Sequence, residues 1–587
     1  MNNSKKIFFK CTRIRYDKDH HFISVAGLAS LGTSTDDKRL EVHIDGEYIG
    51  TECVFMQNRI ANDPKCSFKI MIPLSQTGCE KMIKLDFTII SEKENIHHLE
   101  TIEVQLIKSG LIKINNKDKK ISRKSLVPKF RSLAKNFLNN FQCSVFWIVL
   151  KLIALFSKNK NFITNNSNNV GLLVHNLDHV DRPEKLSFYN SVSETLKSIQ
   201  FNLVCLHHSK KKPSSNFKII QFLDKKYTSW SSVMYLARLY KSDPVSFLST
   251  FEVAKKLRTN HEKAMGSLMN QGAVDKEIIY EFLGIALFIN NFKPSRVLLW
   301  HQWNSYSVIG NFIAKSSGIP TLYTHEGFLP GSMAIDHMGE IGQSKPCLID
   351  DYFSDIPSDY EIDKAEKYID FIIKNKNDRK PNSNFGLEKS IIDRMRDKYS
   401  KVIFFAGVND WQTGIYPLDG PYKLYQSPYY LGTYDCLRTL IKIAQEENYL
   451  IIFKPHPNTP QTQEIYHKNL LTLEFGSIWS LIESSDLVVS PLSTVLYHAS
   501  IIGKPSLAMG KIPSIYIKGN HYINSDAVLR NCLLGKENIS QTLSKDDVTK
   551  HIAILLSKYL CSYHDWSKPL HIRDQSDYVR TIFEDHE

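Results

Sequence analysis

Two kinds of hydrophobic spacing divide the chain. From residue 5 to about residue 110 apolar and polar positions alternate in short runs, Lys6–Tyr16, His21–Leu28, Arg39–Ile44, Tyr48–Met56, Cys66–Ile72, Met82–Ile90 and His98–Ile107. A period of two marks half-buried strands, and Asp45–Gly46 and Gln76–Thr77–Gly78 supply turns between them. Six or seven short strands in that length predict an all-β sandwich over residues 1–112. No catalytic constellation lies in it, so an accessory role is expected.

From residue 169 on, buried-strand runs alternate with helix-length segments. Gly171–His175, Phe201–His207, Arg296–Trp300 and Pro320–Tyr323 read as strands, with helices at Glu184–Ile199 and Tyr306–Lys315. A second block repeats the texture. Its strands are Lys401–Ala406, Tyr449–Lys454, Leu487–Ser490 and Ser506–Met509, and its helices are Tyr434–Glu446, Ile478–Glu483 and Thr494–Ile502. Strands alternating with helices imply right-handed crossovers and parallel sheets. The fold class expected is therefore α/β, a pair of Rossmann-type domains at 169–350 and 397–587 joined by a charged linker at 351–396. A ligand cleft is expected between them, at the carboxyl ends of the strands.

Charge adds one feature. The 587-residue chain carries a net +13, and nine Lys/Arg against the single acid Asp118 lie between Lys113 and Lys135. The apolar run Cys143–Phe156 follows, too short to span a bilayer. Basic residues ahead of an aromatic-rich helix suit an interfacial anchor: the cations attract anionic lipid, while Phe146, Trp147 and Phe156 enter the headgroup boundary. Residues 113–156 are thus expected to meet a membrane surface, the alternative being a solvated linker and a core helix. Nucleic acid is not an expected partner, since no stacking aromatics interleave with the basic residues. No N-terminal signal is visible, and a cytoplasmic protein at the inner face of the cell membrane is expected. Ten cysteines without a Cys-x-x-Cys pair indicate neither a disulfide framework nor a zinc site.

Three clusters follow predicted strands. In Tyr323–Thr324–His325–Glu326–Gly327–Phe328, a carboxylate and an imidazole precede a turn glycine, placing Glu326 or His325 to take a proton. In Phe453–Lys454–Pro455–His456–Pro457, two prolines fix a histidine beside a lysine, a pair suited to an anionic phosphate, with His456 a catalytic candidate as hydrogen-bond donor or as general acid to the leaving group. In Ser490–Pro491–Leu492–Ser493–Thr494–Val495, hydroxyls open a helix, either holding phosphate or capping that helix. Other polar groups at strand ends are His175, Asn176 and Asp178; His301, Gln302 and Asn304; and Asn409, Asp410 and Gln412. The first two sets are expected on the acceptor side, with Asn304 an acceptor-loop candidate beside His325 and Gly327. The third is expected on the donor side. Neither a P-loop nor a dinucleotide Gly-x-Gly-x-x-Gly occurs.

The order His325–Glu326–Gly327, Lys454–Pro455–His456–Pro457, then Ser490–Val495 running through Ala499 to Gly503–Lys504–Pro505 resembles the bacterial capsule polysaccharide biosynthesis glycosyltransferases, Kdo transferases among them, and more distantly the sialyltransferases. The stretch Glu326–Leu329 continuing to Asp336 adds to it. The resemblance covers roughly residues 170–560. It implies a GT-B pair of Rossmann-type domains and transfer of a CMP-activated acidic sugar, without cofactor or metal, to a glycan or glycolipid acceptor. Glu326 would be the catalytic carboxylate, His456 with Lys454 would contact the donor phosphate, and Ser493 and Thr494 would hold it. His325 replaces a second acid of the sialyltransferases. His498 stands where related enzymes place a ribose-binding Glu, leaving the nucleotide open. CDP-glycerol-type phosphotransferases share Lys-Pro-His-Pro, and a non-catalytic glycan-binding protein is the remaining alternative.

Overall fold

A computed structural model describes strands only within residues 1–126, and side chains from residue 142. The longer stretches it leaves out beyond that point are 157–166, 175–183, 208–214, 222–229, 265–270, 377–386, 537–542 and 563–574. The chain forms two compact units, one mostly residues 1–125 and the other holding nearly all of the rest.

In the first unit the alternating runs become strands in two antiparallel sheets. One contains Phe8–Asp17, Phe22–Ser30, Lys65–Pro73 and Val54–Gln57; the other contains Glu47–Tyr48, Lys38–Ile44, Met82–Ser91, Ile96–Leu106 and Ile112–Ile114.

The second unit opens with helix α1 (Val127–Phe156). Its first sheet is built from β1 (Ser167–Val174), β2 (Asn202–His207), β3 (Lys218–Gln221), β4 (Pro294–Trp300), β5 (Thr321–Glu326) and β6 (Ser332–Asp336). The crossovers include α2 (Glu184–Ser198), α3 (Trp230–Ser242), α4 (Pro244–Ala264), α5 (Gln271–Phe292) and α6 (Ser305–Ser316). The order is β3-β2-β1-β4-β5-β6. Strands β1 to β5 are parallel, and β6 turns back antiparallel against β5. The last five residues of β1 and all of β4 but Ser295 are buried, which is why these segments read as unbroken apolar runs.

The region expected as a charged linker contains α7 (Asp359–Asn375), capped by Ser358 in a capping box with Glu361. Its buried stripe is Ala365, Tyr368, Ile369 and Ile372, so its charges are the outer face of a packed helix. The second sheet uses β7 (Lys401–Ala406), β8 (Tyr449–Lys454), β9 (Leu487–Ser490), β10 (Ser506–Ala508) and β11 (His521–Tyr522), with α8 (Thr433–Glu447) and α9 (Val495–Ile501) among its crossovers. These strands lie in the order β8-β7-β9-β10-β11. After α10 (Lys545–Ile554) the chain returns to the first sheet, where β12 (Cys561–Ser562) pairs with β6 and α11 (Gln575–Glu584) supplies Tyr578, whose hydroxyl accepts from the Ile335 N–H (3.0 Å).

Helix α1 differs from expectation in which face it shows. Cys143, Leu150 and Ala154 are buried in the core of the first half, with Phe146 and Trp147 packed against it. The Trp147 ring meets Phe251 edge-on at 5.0 Å and Phe247 at 6.2 Å. Phe146 and Trp147, both half-buried, therefore pack against the protein interior. The outward side chains are Val145, Ile148, Leu152, Leu155 and Phe156, the last 85% exposed, beside Trp230. Leu152, Ile153, Phe156, Trp230 and Met234 line a shallow groove there. Among the described residues no helix is long and apolar enough to cross a membrane.

Candidate active site

Ligands of doubly wound sheets bind where the strand order reverses. In the first sheet that point lies between β1 and β4, and in the second between β7 and β9. His301 follows β4, Glu326 ends β5, Lys454 ends β8, and Ser493 and Thr494 follow β9. His175, Asn176 and Asp178 lie outside the described residues.

The turn after Glu326 has no room for a larger residue. A Cβ on Gly327 would stand 2.1 Å from Ser332 Oγ and 2.7 Å from Leu560 Cδ2, and the Gly327 N–H donates to the Ser332 carbonyl at 2.8 Å. Glu326 itself is half-buried. Its neighbour His325 is buried at 2% exposure, with Nδ1 2.9 Å from the Glu326 carbonyl oxygen and Nε2 3.1 Å from the Tyr559 hydroxyl. That hydroxyl donates to Asp336 Oδ2 (2.9 Å), and the other Asp336 oxygen accepts from the Met338 N–H. His325 is thus tied into a buried polar chain, while Glu326 is half-buried at the turn.

In the second half, Ala406 pairs in register with Lys454, and the Ser490 hydroxyl donates to the Ala406 carbonyl (2.7 Å). Three parallel strand ends are thereby held level. At about 4.8 Å per strand this sets Lys454 and the Ser490–Thr494 turn about 10 Å apart along one rim. Lys454 Nζ donates to the Gly476 carbonyl (3.1 Å), and the His456 carbonyl accepts from the Thr459 N–H (2.8 Å). Lys454, His456, Ser493 and Thr494 are all half-buried. Ser493 Oγ accepts from the Val495 N–H (3.2 Å), a local cap that leaves its O–H as a donor. Thr494 makes no side-chain cap. His498, by contrast, is 4% exposed and stacks on Trp479 at 4.7 Å.

The two rims meet. Phe328, two residues after Glu326, stacks on Tyr497 of α9 and on Tyr559. Tyr422 donates its hydroxyl to the Gln302 carbonyl (2.9 Å) and meets the Trp303 ring edge-on. Gln426 donates to the Glu340 carbonyl and accepts from the Gly342 N–H. Asn304 caps α6, accepting from the Ser307 N–H (2.8 Å). Asp410, with carboxylate oxygens receiving the Thr433 N–H and hydroxyl, is pushed up to about 6 by burial. Asn409 is buried beside it, its Oδ1 accepting from the Trp411 N–H, while Gln412 is exposed.

Sequence reasoning passed over Glu340 and Tyr497, and gave Phe328 no role of its own. Glu340 lies between Gly339 and Gly342 in no recognisable motif, and aromatic residues that join two halves carry no spacing signal.

No family model and no curated protein matches the chain. Among solved structures it is similar to the β-Kdo 2,7 transferase of Thermosulfurimonas dismutans KpsC, at 15% identity and a TM-score of 0.33, over 53% of this chain and 96% of that one. The β-Kdo 2,4 transferase of the same KpsC gives 16% and 0.33, over 46% and 81%. A UDP-GlcNAc 2-epimerase of Methanocaldococcus jannaschii gives 9% and 0.29, over 66% and 99%. Likenesses this distant leave the reading of the site to its own geometry.

Proposed function

We propose that the chain is a glycosyltransferase of capsule or surface polysaccharide biosynthesis that moves a sugar from a nucleotide donor, a CMP-activated acidic sugar such as Kdo or sialic acid, to a glycan or glycolipid. The observation that carries this is the meeting of the Glu326 turn with the helix that follows Ser493 and Thr494, through Phe328 on Tyr497. That contact supports a reading in which the Glu326 carboxylate works opposite the groups proposed to hold phosphate, with a sugar bound between them. Glu326 acts on the anomeric carbon or its attacking hydroxyl, as base if configuration inverts and as nucleophile if it is retained. Lys454, His456 and the hydroxyls of Ser493 and Thr494 hold the leaving phosphate and stabilise the charge that develops there. No metal or cofactor is called for. His498, stacked within the second half, shapes the nucleotide side from behind.

The two N-terminal sheets are proposed to form a sandwich that serves acceptor glycan binding or docking. The enzyme is proposed to work at the cytoplasmic membrane surface. There the basic residues from Lys113 to Lys135 meet anionic lipid and the outward face of α1 meets its headgroup boundary.

A donor panel tests the reading. Purified protein with a membrane glycan acceptor is offered CMP-Kdo, CMP-sialic acid, CDP-glycerol and UDP-sugars, with release of nucleotide scored. CMP release from a CMP-sugar, lost in His456→Ala, is expected. Turnover of CDP-glycerol alone reassigns the chain to phosphoryl transfer. No turnover with a competent acceptor points to a binding protein.

A further inference from the structure

His301 directly follows β4 at the point where the first sheet reverses its order. It is one of few non-glycine residues described with a left-handed backbone, φ 59°, a conformation that costs energy for a residue with a side chain and persists where its surroundings impose it. Its N–H donates to the Thr324 carbonyl (3.1 Å), which keeps the twisted tip on the sheet. Trp300 pairs with Thr324 in register. His301 therefore stands one strand away from His325 and Glu326, within roughly 10 Å of the catalytic carboxylate.

Behind its ring lies Glu340. Nδ1 of His301 is 2.9 Å from Glu340 Oε2, with the histidine side chain 31% exposed and the glutamate 1%. Glu340 is fixed in place. Its N–H donates to Gln302 Oε1 (3.3 Å), Gln302 donates in turn to Gln343 Oε1 (2.6 Å), and a Cβ on Gly339 would stand 2.7 Å from Gln302 Oε1. The other carboxylate oxygen, Oε1, has no hydrogen-bond partner among the described residues. The side-chain contact described for this buried carboxylate is with His301, which can share its proton. Burial pushes Glu340 up to about 8, with His325 drawing it down and Asp336 pushing it up. The Tyr323 and Tyr422 hydroxyls also face it, and the Lys185 ammonium lies 4.0 Å from the ring of Trp300 beside His301.

A carboxylate on one imidazole nitrogen fixes the tautomer, stabilises the imidazolium and directs the other nitrogen outward as a proton acceptor. We propose that His301, positioned by Glu340, is the catalytic base of this cleft, taking the proton of the acceptor hydroxyl. The proposal rests on the glycosyl-transfer reading in its inverting form and takes the role of base from Glu326, whose carboxylate then stabilises the positive charge that develops at the anomeric carbon. In the step, the acceptor O–H bond breaks and its proton passes to Nε2 of His301. The oxygen's electron pair forms the new bond to the anomeric carbon. The bond from that carbon to the donor phosphate breaks, and the phosphate oxygen leaves with the pair. Glu340 offsets the charge of the imidazolium in its ionised form, the form held above about 8, so the competent state of the pair lies on the alkaline side of that ionisation.

Two measurements on the full chain test this. The imidazole of His301, followed by NMR in histidine-labelled protein, is expected to titrate about one pH unit or more lower in Glu340→Gln than in wild type, because the partner that holds the imidazolium is gone. An unchanged titration overturns the positioning role. With the donor that the panel identifies, kcat/KM is expected to rise with pH through the His301 ionisation, and that limb is expected to move down in Glu340→Gln by the NMR shift. His301→Gly keeps the left-handed backbone; it is expected to lose roughly 10²- to 10⁴-fold in kcat and to recover part of it with added imidazole, which also shows the variant is folded. His301→Asn is the second variant, without space for rescue. If wild type transfers sugar and both variants keep its rate, the proposal fails while the transferase reading stands. If wild type transfers nothing from any donor, the transferase reading fails and the proposed step with it.

Discussion

The ring of Phe328 lies 6.2 Å from that of Tyr497, the two planes 25° apart. One residue belongs to the turn that carries Glu326, the other to the helix that follows Ser493 and Thr494, so this contact helps fix the distance between the two rims. Phe328 is 3% exposed. Phe328→Ala is expected to cost about 3–5 kcal/mol in urea unfolding. Phe328→Leu should cost less than about 1.5 kcal/mol yet still lower kcat/KM, because the stacking that fixes the gap is lost. Equal transfer by Phe328→Leu and wild type counts against this role.

Gly327 tests the turn itself. Its Cβ position is already occupied by Ser332 Oγ and Leu560, so Gly327→Ala must displace the β5–β6 hairpin, at about 1–3 kcal/mol. Ser332→Ala placed in the same chain removes the nearer obstacle. It is expected to restore part of the stability and part of the activity, a non-additivity readable in a double-mutant cycle.

The donor side is read by binding. A charge-assisted hydrogen bond to phosphate contributes about 1.5–3 kcal/mol. Lys454→Ala and His456→Ala are each expected to weaken CMP affinity roughly tenfold to a hundredfold by calorimetry, leaving unfolding transitions near wild type. His498→Gln, a change within the stacked interior, is expected to show the reverse: lower stability and a smaller effect on CMP.

Much of this arrangement was legible in the residues. The runs of β7, β8 and β9 are so apolar that their ends could be read to the residue, and the Lys-Pro-His-Pro and Ser-Thr segments fell at their carboxyl ends as expected. The charges of α7 hid its buried stripe of Ala365, Tyr368, Ile369 and Ile372, because a solvated helix face and a linker share a composition. Trp147 looked like an interfacial anchor for the same kind of reason: composition names the aromatic residue, and only packing against Phe247 and Phe251 decides which way it points. Glu340 was illegible, since its partner His301 precedes it by 39 residues and is met only across the fold.

A pH effect follows from the support behind Tyr497. Its hydroxyl lies 3.3 Å from Nε2 of His551, whose ring stacks on Phe353 at 4.0 Å. Burial holds His551 down at about 3. The folded protein therefore keeps this ring neutral, while the unfolded chain takes a proton below about 6.5. Stability from this site is full above that value and falls as the pH drops toward 3, by up to about 1.4 kcal/mol per pH unit. His551→Phe is expected to flatten that part of the profile between pH 6.5 and 5, measured by urea unfolding. An unchanged slope means the ring is not buried as described.

The outward face of α1 makes the membrane proposal specific. Flotation with vesicles containing about one-third anionic lipid is expected to carry the wild-type chain. Leu152→Glu combined with Phe156→Glu is expected to abolish flotation with little change in stability, both side chains being exposed. Trp147→Ala is expected to lower stability, since its ring is packed inside. Flotation by the double variant equal to wild type rejects this face as the contact.

The pairing of β12 with β6 has a consequence during synthesis. Cys561, which meets Met333, follows it by 228 residues. At roughly 5–20 residues per second, the ribosome delivers that closing strand about 10 to 45 s after β6 has emerged. Through that interval β6 presents an open edge with unpaired N–H and C=O groups, a template for another chain. The nascent first half therefore has a window in which chaperone capture competes with aggregation, and the window closes only when residues past 560 have left the exit tunnel.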